Sequence, residues 1–160
     1  MDILKQLISN QALIVSLAAW LIAQIFKVFT NLFVEKTFDI KRLVGDGGMP
    51  SAHSATVMAL AIMVGWTSGF DGVAFAVSLI FAVVVMRDAV GVRRETGKQA
   101  ESIKDIAEAL NQTFLGENSE IRTENLKILV GHTPLQVTFG AILGAAVSVI
   151  YILLFLIKKI

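Results

Sequence analysis

The chain has 160 residues, 55% hydrophobic and 17% charged, with a mean hydropathy of +0.71. Soluble domains carry about 25% charged residues, so this composition excludes an ordinary soluble enzyme and points to an integral membrane protein. A net charge of +1 argues against nucleic acid as the main partner, and the absence of cysteine excludes disulfides, thiolate nucleophiles and thiolate metal sites.

Hydropathy predicts an all-α fold: a polytopic helical membrane bundle forming a single domain over residues 1–160. Residues 1–12 read as a short amphipathic lead-in. A first span follows at about 13–34, close to the roughly 20 residues a bilayer requires, with Gln24 and Lys27 inside it. No trustworthy small-residue cleavage site accompanies it, so it is expected to be retained as a helix. The second and third spans, about 51–70 and 73–92, are joined by Ser68-Gly69-Phe70-Asp71-Gly72, a turn short enough to make them an antiparallel pair.

The long polar segment covers 93–131. Ile103, Ala107, Leu110 and Phe114 recur in it at helical spacing, with Glu101, Asp105, Glu108 and Gln112 elsewhere on the wheel, which predicts an amphipathic helix lying on the membrane or on the bundle. Thr123 is placed to cap a short helix through Val130, Gly131 to end it, and Thr133-Pro134 to open the fourth span at about 135–157. Gly140 and Gly144, with Ala141 and Ala145 beside them, form a close-packing face, either inside the bundle or between protomers of a homo-oligomer.

Four spans put both termini and the 68–72 turn on one side, with Lys5, Lys158 and Lys159. The other side holds Lys36, Lys41, Arg42, Arg93, Arg94, Lys98, Lys104, Arg122 and Lys127. Nine cations against three predict cytoplasmic longer loops and both termini opposite.

The same topology gathers polar residues at one membrane face. Gly45-Asp46-Gly47-Gly48-Met49-Pro50-Ser51-Ala52-His53-Ser54 sets flexible backbone, a hydroxyl and an imidazole at the start of an apolar helix. Pro50 suits the first helical turn, and Ser51 sits beside unpaired backbone donors that fit a phosphate; the alternative is that Ser51 only caps the helix. Lys27 and Arg42 lie near the exit of span one, Asp88, Arg93 and Arg94 near the exit of span three, and His132 at the start of span four. Ionisable groups at membrane depth are functional candidates by default. Lysine, arginine, two histidines and a serine are anion chemistry. Each also has a plainer role: Lys27 as a snorkelling lysine, Arg93 and Arg94 as interface anchors, Asp88 as an ion-pair partner of Arg87 or of these arginines. Two histidines without cysteine or His-x-x-x-His spacing give no metal site, and no cofactor is expected.

Pro50-Ser51-Ala52-His53-Ser54 resembles the Pro-Ser-Gly-His motif of the type 2 phosphatidic acid phosphatase and vanadium haloperoxidase superfamily. The likeness is closer to that superfamily's divergent membrane branch. Gly47 to Ala55, the run Asp88-Ala89-Val90-Gly91-Val92-Arg93-Arg94 with Gly97, Gln99 and Ala100, and Gly131-His132-Thr133-Pro134-Leu135-Gln136 resemble its signatures in order. The resemblance implies a phosphoric ester hydrolase of acid-phosphatase type. Ser51 would be a phosphate ligand, His53 the general acid and His132 the nucleophile, with Lys27, Arg42, Arg93 and Arg94 as phosphate clamps. It implies a lipid-linked phosphate or diphosphate as substrate, cleaved through a phosphohistidine, with membrane lipids as surroundings. A non-catalytic binder or carrier of a phosphorylated lipid is the alternative.

The chain departs from the wider superfamily at Ala52, where the motif has Gly, at Leu126, where it has Arg, and at Gln136, where it has the Asp that orients the nucleophile. No Arg-Pro follows a lysine at the expected spacing. Gln136 can hold an imidazole but carries no charge to stabilise imidazolium, so Asp88 or Glu95 would have to supply that charge from another helix.

Overall fold

The computed structural model describes residues 2–35, 48–114 and 132–159, and the described secondary structure is helical throughout: α1 (Ile3–Ser9), α2 (Gln11–Glu35), α3 (Ala52–Ser68), α4 (Val73–Val90), α5 (Val92–Phe114) and α6 (Pro134–Lys159). Asn10 divides the first two. Its N–H closes α1 on the Leu7 carbonyl, and its side-chain oxygen accepts the Leu13 N–H at 3.1 Å, an N-cap for α2. Gly69, at φ 94°, ends α3 in a conformation other residues rarely adopt, and α4 starts after Gly72. The tight turn and the antiparallel pair are as expected.

By length and composition, three helical stretches can cross a membrane: the first twenty residues of α2, the stretch beginning with α4, and α6. The 17 residues of α3 reach about 26 Å at ~1.5 Å per residue, a little short of a ~30 Å hydrocarbon core. Yet α3 is the best-covered helix, packed on α2, α4 and α6 while α2 also meets α6. It buries Ala52, Ser54, Ala55, Val57, Ala59, Ala61, Met63 and Gly65. Residues this small let helix backbones approach closely, which replaces hydrophobic driving force where the surroundings are themselves apolar.

The α3–α6 seam is the closest. A Cβ added at Gly140 would overlap the Ser51 carbonyl oxygen, and one at Gly144 the Ala55 carbonyl oxygen. Ser148, one further turn along, is fully buried and donates to the Gly144 carbonyl at 3.0 Å and to the Ala59 carbonyl at 3.4 Å. The close-packing face of Gly140 and Gly144 thus lies inside the bundle. On the other side of α3, Val57 and Ala61 meet Ala82, with Val85 and Met86 against them. Outward, α4 exposes Val77, Ile80, Phe81 and Val84, and α6 exposes Ile142, Ile150 and Leu153, an apolar exterior suited to lipid.

Two expectations need correction. Pro50 does not occupy the first turn of α3; it precedes the capping Ser51, outside the helix. The amphipathic helix of the 93–131 segment has no loop before it: α5 begins at Val92, separated from α4 only by Gly91, whose N–H caps the Arg87 carbonyl at 2.8 Å. Good helix formers and the pairs Glu95–Lys98 and Lys104–Glu108 extend it toward α4. Of the apolar positions, Ala107 is buried, whereas Ile103 and Leu110 are exposed. The helix expected over 123–130 lies outside the described residues.

Candidate phosphate site

The antiparallel order brings the C-terminal half of α2, the start of α3, the end of α4 and the start of α6 to one end of the bundle. Three hydrogen bonds tie these ends together. The Ser51 N–H donates to the Gln136 carbonyl at 3.0 Å, joining α3 to α6, and the His132 N–H donates to the Ala89 carbonyl at 3.1 Å, joining α6 to α4. Ala89 lies in the last turn of α4, where carbonyls lack partners within the helix. The Thr30 hydroxyl donates to the Met49 carbonyl at 2.7 Å, fixing the turn before α3 to α2. A further contact, from the Gln136 side chain to His132, lies within the start of α6.

Gln136 is the central residue of this end. Its Oε1 accepts the Thr133 N–H at 3.0 Å while its own N–H donates to the Thr133 hydroxyl at 3.3 Å, a reciprocal capping box that starts α6. The same Oε1 lies 3.1 Å from Nδ1 of His132. Because the Thr133 N–H identifies that atom as the carbonyl oxygen, Nδ1 must carry the proton, and in neutral His132 the lone pair is left on Nε2.

His132 is 5% exposed, and its ring centroid lies 6.2 Å from that of half-buried His53, with the planes tilted by 60°. Ser51, fully buried, is the N-cap of α3: its hydroxyl oxygen lies 3.4 Å from the Ser54 N–H and 3.1 Å from the Ser54 hydroxyl. The hydroxyl expected to bind phosphate is therefore engaged as the helix cap. The N-termini of α3 and α6 meet here, and both present the positive end of a helix dipole to an anion.

Lys27 is 3% exposed on α2, and its aliphatic stem runs beneath Gly48, 3.7 Å from where a Cβ would stand; the φ of 82° at Gly48 also favours glycine. A lysine this buried is not snorkelling outward. One turn deeper, buried Gln24 has an Oε1 without a hydrogen-bond partner among the described residues.

The structure thus brings Ser51, His53, His132 and Gln136 together, with Lys27 at the adjoining turn. Asp88 is half-buried on α4, next to the Ala89 whose carbonyl holds His132. Glu95 lies exposed on α5 and pairs with Lys98 at 2.7 Å. Arg93 and Arg94 fall in the first turn of α5, their side chains outside the described set, as are Arg42 and Leu126 altogether. Among the described residues no three His, Asp or Glu side chains gather as a metal site needs. Thr30 and the carbonyl of Ala89 escaped the sequence reading, since nothing local marks either; Thr133 and Gln136 did carry the Thr-x-x-Gln pattern of a capping box.

The family model described as the Divergent PAP2 family matches residues 8–147. The uncharacterized membrane protein YuiD of Bacillus subtilis (strain 168) is 39% identical over 152 residues, covering 91% of this chain and 96% of that protein. No solved structure matches the chain. With three helical stretches able to cross a bilayer and a membrane-protein relative of nearly equal extent, the chain is an integral membrane protein. The match runs through the capped Ser51–His53 turn, the α4–α5 junction and the His132–Gln136 capping box: the chain belongs to the divergent PAP2 family.

Proposed function

We propose that this protein is a phosphatase that hydrolyses a lipid-linked phosphate or diphosphate through a phosphohistidine, within a single membrane domain of four spans, α3 being the shortest. The observation that carries this reading is the pair of imidazoles across the α3–α6 seam, one of them held through Nδ1 by Gln136 so that the ring's lone pair lies on Nε2. The Nε2 lone pair of His132 forms the bond to phosphorus as the ester P–O bond breaks, and the departing oxygen takes a proton from His53. Water then attacks phosphorus, the P–N bond breaks back to Nε2, and the proton from water returns to His53. Ser51, the two helix N-termini, Lys27, Arg42, Arg93 and Arg94 hold the phosphate oxygens. Asp88 is the stronger candidate for a charge partner, since it is half-buried beside Ala89 while exposed Glu95 pairs with Lys98 on its own helix. The site and the two longer loops face the cytoplasm, with both termini opposite.

The neutral amide of Gln136 favours a second reading, a carrier that binds the phosphorylated headgroup without a covalent step. Turnover separates the two. Purified protein in detergent, given a panel of lipid phosphates and diphosphates, should release inorganic phosphate with and without chelator. Saturable binding of the same lipids without release would establish the carrier instead.

A further inference from the structure

An apolar groove of about 340 Å³ runs along the α2–α6 surface directly beside the candidate site. Phe26 and Thr30 of α2 form one wall; Phe139, Ile142 and Ala146 of α6 form the other. Met49 and Pro50 close one end, and the next residue is Ser51. On the α6 wall, Phe139 is followed by Gly140, the residue against the Ser51 carbonyl. Both ends of this contact lead straight from the groove to the phosphate ligand. The groove presents no polar surface; the Thr30 hydroxyl is engaged by the Met49 carbonyl. Leu143 forms its floor, backed by the buried cluster of Ala23, Ala52 and Ala55, so it has a packed base. Phe26, Phe139 and Ile142 are all at least 45% exposed, and they open the groove toward the surroundings of two membrane-length helices.

A wall without a donor or acceptor cannot hold a sugar, a nucleoside or water at depth, whereas methylene chains lose nothing there. From these observations we infer that the groove seats the hydrocarbon chain of the molecule whose phosphate is taken by the adjoining site of Ser51, His53 and His132. The substrate is thereby a long-chain lipid phosphate, and free phosphate or a soluble phosphoester would leave the groove empty. The inference rests on the phosphate site described above. Since lipid tails already lie in an apolar medium, the groove contributes register more than affinity: the chain sets where the headgroup stops relative to Nε2 of His132. Displacement by about 1 Å can cost a hundredfold in rate.

The test uses two arms on the full-length protein. In the first, Ala146→Trp fills the groove from an exposed position, and Phe81→Trp on the outer face of α4 is the control. With hexadecyl phosphate, kcat/KM should fall about tenfold or more in Ala146→Trp and stay unchanged in Phe81→Trp, while p-nitrophenyl phosphate hydrolysis is the same in all three proteins. Equal loss on both substrates, or none, overturns the groove. The second arm needs no turnover: hexadecyl phosphate bearing a mid-chain diazirine should label peptides of α2 and α6 that line the groove. Excess hexadecyl phosphate should suppress that label, and hexadecanol should not. Label spread over α4, or displaced equally by the alcohol, contradicts the proposal. Groove labelling without phosphate release would leave the chain site standing and refute the phosphatase reading.

Discussion

The side-chain oxygen of Gln136 lies 3.1 Å from Nδ1 of His132 and simultaneously accepts the Thr133 N–H, so one amide both starts α6 and sets the tautomer of the histidine in front of it. Where a carboxylate would add charge, the amide adds only direction. Gln136→Glu keeps the capping box, because Glu serves as well as Gln at that position, and places a negative charge beside the ring. A hydrogen bond to a charged group is worth about 1 kcal/mol more than a neutral one, so the expected outcome is turnover raised by roughly five- to tenfold. Gln136→Leu removes both contacts and should lower turnover together with thermal stability, the cap alone accounting for about 1 kcal/mol. Steady-state phosphate release and melting curves in detergent measure both effects.

The closest packing in the bundle is a second point of attack. Gly144→Ala puts a methyl group into the Ala55 carbonyl, and Gly140→Ala puts one into the Ser51 carbonyl. Each should destabilise by about 1–3 kcal/mol, since neither backbone can give way without opening the α3–α6 seam. Gly140→Ala should also depress phosphate release beyond its effect on melting, because the residue it displaces is the proposed phosphate ligand; Gly144→Ala should not. Equal activity loss at matched stability in the two variants would separate Ser51 from the site.

Much of this arrangement was legible in the chain itself. Hydropathy located the helices, and Gly140 and Gly144 announced a close seam, because small residues at one-turn spacing have few other uses in an apolar helix. The histidines could be assigned to one end of the bundle once antiparallel order was known. What remained hidden was long-range: the hydrogen bond from Ser51 to the Gln136 carbonyl and that from His132 to the Ala89 carbonyl use backbone atoms, which carry no residue signature. Pro50 stands two residues before the first helical position, because proline suits the residue before the cap as well as the first turn. The early start of α5 was missed because Arg93, Arg94, Glu95 and Lys98 read as loop charges although they are also good helix formers.

Orientation follows from charge and is tested by labelling. Single cysteines replacing Ser119 and Ser68 in this cysteine-free chain should react from opposite sides, Ser119→Cys only after the membrane is permeabilised and Ser68→Cys in intact cells. The reverse pattern would place the site on the outer face.

Phosphoryl transfer to imidazole requires no metal. Phosphate release should therefore persist in excess chelator and be inhibited by vanadate, which adopts the five-coordinate geometry of the transition state. Loss of activity on chelation with recovery on adding magnesium would move the chemistry to Asp88 and a bound cation.

The most direct measurement is trapping of the phosphoenzyme with radiolabelled lipid phosphate, followed by acid and base treatment. The account predicts an acid-labile, base-stable phosphohistidine in the wild type and none in His132→Ala, which should also lose turnover. His53→Ala should form the intermediate slowly from an alkyl phosphate and nearly normally from a phosphoester with a good leaving group, because a general acid matters most when the departing oxygen is basic. Near-normal turnover by His132→Ala, in a preparation free of contaminating phosphatase, would contradict the assignment of His132 as the nucleophile.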